Sequence, residues 1–139
     1  MNDYTIIEIS DTDDAYAGTS VPGEFRSFTD ALNTEQLALT LIRVPPHSDF
    51  EQGTGHYHDE LEEIYIITRG VLTMRFGNDI KKVPAGSAVR VAPQTPRSHR
   101  NEGDEPVDMW AISAKHRSQD AHKIDSFWET SKNASQTKE

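Results

Sequence analysis

A chain of 139 residues can bury one core and is short for two. Its formal net charge of -9 repels phosphate backbones and anionic membranes, so neither nucleic acid nor a membrane is expected as a partner. With no cysteine, disulfides, thiolate zinc sites and thiol nucleophiles are excluded, and any metal must be held by nitrogen and oxygen.

The first residues, Met-Asn-Asp-Tyr-Thr-Ile-Ile-Glu, lack the basic region and apolar run of a signal peptide or membrane span, and a soluble cytoplasmic protein is the expectation. Residues 1–36 form a polar N-terminal arm, broken into short strands and turns by Asp11, Asp13, Asp14, Gly18, Pro22 and Gly23. The run Leu37 to Val44 has strand composition and stops at Pro45-Pro46, which cannot continue a ladder.

Further strands are expected through Gly53 to His58, from Glu63 to Thr68 and from Val71 to Phe76. Others follow around Lys81 to Val83, from Ala88 to Ala92, from Ser98 to Arg100 and from Val107 to Ile112. Turn signals recur about every eight to twelve residues, the spacing of an all-β sandwich or barrel spanning residues 37–113. Residues 114–129 change character. Ala121 to Glu129 is expected as a short helix with Ile124, Phe127 and Trp128 on one face. Residues 130–139 hold no apolar side chain larger than Ala134 and are expected to be a disordered tail.

Chemistry concentrates in Gly-His56-Tyr-His58 and the acidic stretch behind it. Alternation along a strand puts His56 and His58 on one face, about 6 to 7 Å apart. Glu63 lies five positions beyond His58 and joins them only if the chain turns within Asp59 to Glu62. Otherwise Glu62 is the substitute, and the remaining acids there serve as a solvated turn.

This cluster resembles the first motif of the cupin superfamily: a glycine, five residues, His-x-His, three or four residues, Glu, six residues and Gly. His56, His58, Glu63 and Gly70 match it, while Phe50 stands at the leading glycine. The second motif is a glycine, five residues, Pro-x-Gly, two residues, His, three residues and Asn. Gly86 and Asn101 keep its ends, but Ala92, Gln94 and Arg97 replace the proline, the glycine and the third histidine.

The resemblance implies a double-stranded antiparallel β-helix, the jelly-roll barrel of the cupins, with a divalent transition metal inside bound by His56, His58 and Glu63. Fe, Mn, Ni, Cu and Zn all suit such donors. Arg97 carries no lone pair to give a metal, and it becomes a candidate for binding an anionic substrate group. His99, two residues further on the same face, is the candidate replacement ligand. It reaches the metal only through a bulge or a deeper ion; the alternative is a two-histidine, one-carboxylate site.

His47, His116 and His122 fall outside the motifs, and Tyr65, Met74, Phe76, Met109 and Trp110 are read as core. Arg43, Arg75 and Arg90 are each expected to face solvent, to pair with an acid or to meet an anionic ligand inside the barrel. The function expected is a metal-binding cupin acting on, or sensing, a small organic and possibly anionic molecule. A metal-free binding module for a sugar or organic acid, or a ligand-sensing domain, is the alternative. Cupins include dioxygenases, isomerases, decarboxylases, epimerases and storage proteins, so the fold selects no reaction and leaves open whether the protein is an enzyme. A homodimer is expected because the strand from Glu63 to Thr68 is apolar on both faces and its outward Ile64 and Ile66 need a cover; the N-terminal arm is the alternative cover.

Overall fold

A computed structural model describes residues 3–115 and 120–129. The expected tail at 130–139 and His116 lie outside the described residues. Among the described residues, ten strands form two five-stranded antiparallel sheets: β1 (Glu24–Ser27), β2 (Leu37–Val44), β3 (Gly55–His58), β4 (Glu63–Arg69), β5 (Val71–Phe76), β6 (Asp79–Pro84), β7 (Ala88–Val91), β8 (Arg97–Arg100), β9 (Val107–Ala114) and β10 (Ala121–Ile124). One sheet runs β1-β2-β9-β4-β7 and the other β10-β3-β8-β5-β6. This is the antiparallel jelly roll that the motifs imply.

Pleating supplies the core. Ile42 and Val44, Tyr65 and Ile67, Leu72 and Met74, and Val107 and Met109 are buried between the sheets, each pair two apart on its strand. Gly70 makes the β4–β5 turn at φ +76°, where a Cβ would also lie 2.4 Å from the Pro106 carbonyl oxygen, so any side chain there is excluded twice over. Asn101, at the end of the second motif, is buried. Its amide donates to the carbonyls of Val44, Pro45 and Glu105, which fastens the end of β2 to the loop before β9.

The arm holds two elements the sequence did not suggest, a short 3-10 helix at Ile9–Asp11 and the helix α1 (Phe28–Leu32), closed by Asn33 in the left-handed region. Phe28 is buried and meets Trp110 edge-on, with ring centroids 5.0 Å apart. The helix thereby covers the outer side of the first sheet where Leu41 pairs with Trp110.

At the C-terminal end residues 127–129 are helical, so the short helix is present, but it is shorter than expected. Ala121–Ile124 form β10 instead and pair with β3, Ala121 opposite His58 and Ile124 opposite Gly55. The edge of β3 presents backbone donors and acceptors that a helix could not satisfy and a strand does. Arg75, expected to face solvent, to pair with an acid or to meet an anionic ligand, is buried on other partners instead. It donates to the carbonyls of Gly77 and Phe127, and its guanidinium sits 4.2 Å from the centre of the Phe127 ring. No helix among the described residues is long and apolar enough to cross a membrane.

Candidate metal centre

The turn after β3 decides the site. Residues 59–62 bend the chain from one sheet to the other, and Glu63 enters β4 on the inner face with Tyr65 and Ile67. His56, His58 and Glu63 then offer ligand atoms that all lie within 4.8 Å of one another. His56 Nε2 is 3.7 Å and His58 Nε2 is 3.2 Å from Glu63 Oε1. The two imidazoles meet edge to face, 5.1 Å between centroids.

Glu63 is tied down from behind. Arg97 Nη2 donates to its Oε1 at 2.5 Å and the Tyr65 hydroxyl donates to the same oxygen at 2.7 Å. Burial alone would raise this carboxyl, but interactions with His56, Tyr65 and Arg97 outweigh it and hold the group at about 2.

Arg97 is 1% exposed and pairs directly opposite His56 on β3. Its Nη1 donates to the Thr95 carbonyl and its Nε to the Tyr65 hydroxyl. All three guanidinium nitrogens are therefore engaged inside the protein.

His99 lies deeper, 4% exposed, with neither ring nitrogen hydrogen-bonded, stacked on Phe50 at 6.3 Å. Burial, then the proximity of His56, pushes it down to about 4, so it is neutral at pH 7. Its Nε2 lies 3.4 Å from Glu51 Oε1, and it is not one of the three residues whose ligand atoms cluster.

Two acids were missed in the sequence. Glu51 sits between His99 and His56, its Oε1 3.8 Å from His56 Nδ1, and its Oε2 accepts from the Ser98 hydroxyl at 2.6 Å. Burial pushes it up to about 8 despite that hydrogen bond, and Asp49 adds to the rise. The other is Asp120, just before β10, whose Oδ1 lies 2.7 Å from His58 Nδ1. Burial would raise Asp120, but the Glu60 amide, the His58 ring and the Leu61 amide hold it well below the usual carboxylate range. Nothing local marks either residue: each reads as one more surface acid in an acidic chain.

The remaining candidates lie elsewhere. Glu62 is exposed and pairs with Arg90, His47 pairs with Asp104 and His122 with Asp59. Arg43 lies between Glu24 and Asp108. A cleft of about 500 Å³ opens beside His56, bounded also by Tyr16, Phe50, Glu51, Thr54 and Lys123.

No curated protein matches the chain. Among solved structures it is similar to a cupin protein from Bacteroides fragilis, at 20% identity over 85% of this chain and 89% of that one, with a TM-score of 0.65. It is also similar to a sugar phosphate isomerase of the cupin superfamily from Silicibacter pomeroyi, at 19% identity over 81% and 76%, TM-score 0.63. A third is a polyketide cyclase from Streptomyces resistomycificus, at 14% identity over 88% and 85%, TM-score 0.68. At these identities the likeness is one of fold. The family model of the cupin domain, however, matches residues 40–113, more than half of the sequence, and the chain belongs to the cupin family.

Proposed function

We propose that this cupin binds a divalent first-row transition metal through His56, His58 and Glu63 and acts on, or senses, a small organic molecule in the adjoining cleft. The observation that carries the reading is the convergence of two imidazoles and one carboxylate within 4.8 Å of one another, a donor set that suits Fe, Mn, Ni, Cu or Zn. A metal held there supplies Lewis-acid or oxygen chemistry at the positions the protein leaves open. The arrangement favoured is the two-histidine, one-carboxylate site, with His99 outside it.

The chain's own residues have distinct tasks in this reading. Arg97 and Tyr65 hold Glu63 ionised and oriented, so Arg97 serves the carboxylate rather than an anionic substrate. His56 and Glu51 border the cleft, which is large enough for a small metabolite-sized ligand, and Phe50 and Tyr16 give it apolar walls.

One observation favours the second reading, a metal-free binding module: the Arg97 guanidinium already supplies Glu63 with a positive partner. Elemental analysis of protein purified without an affinity-metal step separates the two. Stoichiometric metal supports the first reading, and its absence, with a melting temperature indifferent to added Mn2+, Ni2+, Fe2+ and Zn2+, supports the second.

We also propose, on a separate observation, that the protein is a homodimer. The helix α1 covers Leu41 and Trp110 but leaves Ile64 39% exposed on the outer side of β4, next to half-buried Ile66. A second copy is the proposed cover.

A further inference from the structure

We infer that Asp120 is a positioning residue of the metal centre: its Oδ1 fixes the tautomer and orientation of His58, while its Oδ2 clamps the turn that brings Glu63 to the site. The inference rests on the metal reading above. An ionised carboxylate only accepts hydrogen bonds, so at 2.7 Å from Asp120 Oδ1 the His58 Nδ1 must carry the ring proton. The lone pair of the neutral ring is then on Nε2, the atom that faces Glu63 at 3.2 Å.

Outer carboxylates of this kind orient metal-bound histidines and strengthen them as ligands. Among the described residues the other histidine has no such partner: His56 Nδ1 is 3.8 Å from Glu51, beyond hydrogen-bonding reach.

The second oxygen does separate work. Asp120 Oδ2 accepts the backbone N–H of Glu60 at 2.9 Å and of Leu61 at 3.1 Å, and the Asp120 carbonyl accepts the N–H of Asp59 at 3.2 Å. Three consecutive amides of the turn between His58 and Glu63 therefore end on one residue. Asp120 is held there by β10, whose first residue, Ala121, pairs with His58 itself. A C-terminal strand remote in sequence thus sets the geometry of two of the three candidate ligands.

The test separates tautomer control from simple anchoring. In Asp120→Asn the amide oxygen can still accept from Glu60 and Leu61, but its NH2 group faces Nδ1 and favours the proton on Nε2. In Asp120→Glu a carboxylate remains to accept from Nδ1. Two readouts apply to the full-length protein at pH 8: long-range 15N–1H NMR of the metal-free protein, which reports the His58 tautomer, and Co2+ titration followed by visible absorption. We expect the Nδ1–H form in wild type and the Nε2–H form in Asp120→Asn. The Co2+ dissociation constant should rise about 10- to 100-fold in Asp120→Asn and less in Asp120→Glu.

Two results would overturn the assignment. One is a wild-type His58 that is not in the Nδ1–H form; the other is an equal loss of Co2+ affinity in the Asn and Glu variants, which marks a purely structural anchor. A wild-type protein that takes up no Co2+ defeats the metal reading instead. The two failures are told apart because the tautomer is measured without metal.

Discussion

Arg97 Nη2 lies 2.5 Å from Glu63 Oε1, so the residue standing where the family pattern puts a third histidine binds one of the candidate ligands instead of the metal. A fixed positive charge replaces a neutral donor. The exchange keeps Glu63 ionised, and the cavity wall opposite His56 becomes a buried ion pair.

Removing half of that pair should be costly. Arg97→Met leaves the Glu63 carboxylate, 13% exposed, without its main partner. Breaking a buried pair in this way costs about 3 to 5 kcal/mol. Urea unfolding should show the midpoint falling by the corresponding amount at unchanged slope. A variant as stable as wild type would mean that Glu63 finds an equivalent partner in the histidines.

Metal binding should depend on both histidines and on pH. His56→Ala and His58→Ala are expected to abolish retention of metal and the rise in melting temperature that added divalent ions give wild type. Glu63 is held at about 2 and stays ionised throughout the working range, so it contributes none of the pH dependence. Because protons compete with a metal for the imidazole lone pairs, affinity should fall on acidification. A flat profile by isothermal titration between pH 5 and 8 argues against histidine ligation.

His99 separates the two site arrangements. Neither ring nitrogen is hydrogen-bonded, Nε2 lies 3.4 Å from Glu51 Oε1, and His99 is not one of the three residues whose ligand atoms cluster. His99→Ala should therefore leave the Co2+ dissociation constant within about threefold of wild type, while opening a cavity beside Phe50 that lowers stability by about 1 to 3 kcal/mol. A loss of tenfold or more would place His99 among the ligands.

Glu51 should make the metal-free protein less stable as pH rises. Its folded value is about 8 against an ordinary 4.5, so the folded state keeps a proton that the unfolded chain releases. The stabilisation is complete below pH 4.5 and is lost progressively up to about pH 8. Measured with chelator present, Glu51→Gln should flatten that decline and be the more stable protein at pH 8. Parallel wild-type and variant curves across this window would show that the carboxyl is ionised in the fold.

The exposed Ile64 predicts self-association. Light scattering at micromolar concentration should give twice 15.6 kDa, and Ile64→Lys should return the monomer at unchanged melting of the fold. A wild-type mass of 15.6 kDa refutes the dimer.

Much of the barrel was legible in the chain because its signals are local. The bounds of β2 and β5 coincide with the apolar runs Leu37 to Val44 and Val71 to Phe76, since proline and glycine end a ladder wherever they stand. The pairing of His56 with His58 follows from strand alternation alone, and Glu63 needed only a turn in a polar stretch that favours one. Tertiary structure decided the rest. Whether Ala121 to Ile124 became helix or strand depended on the open edge of β3, which no property of those four residues records. Asp120 joined His58 only through that pairing, from 62 positions away. Glu51 and Arg97 are a glutamate and an arginine in an acidic, charged chain until the sheets close over them. Burial then determines their charge and their partners, because desolvation acts on a group's surroundings and the sequence lists only its neighbours along the chain.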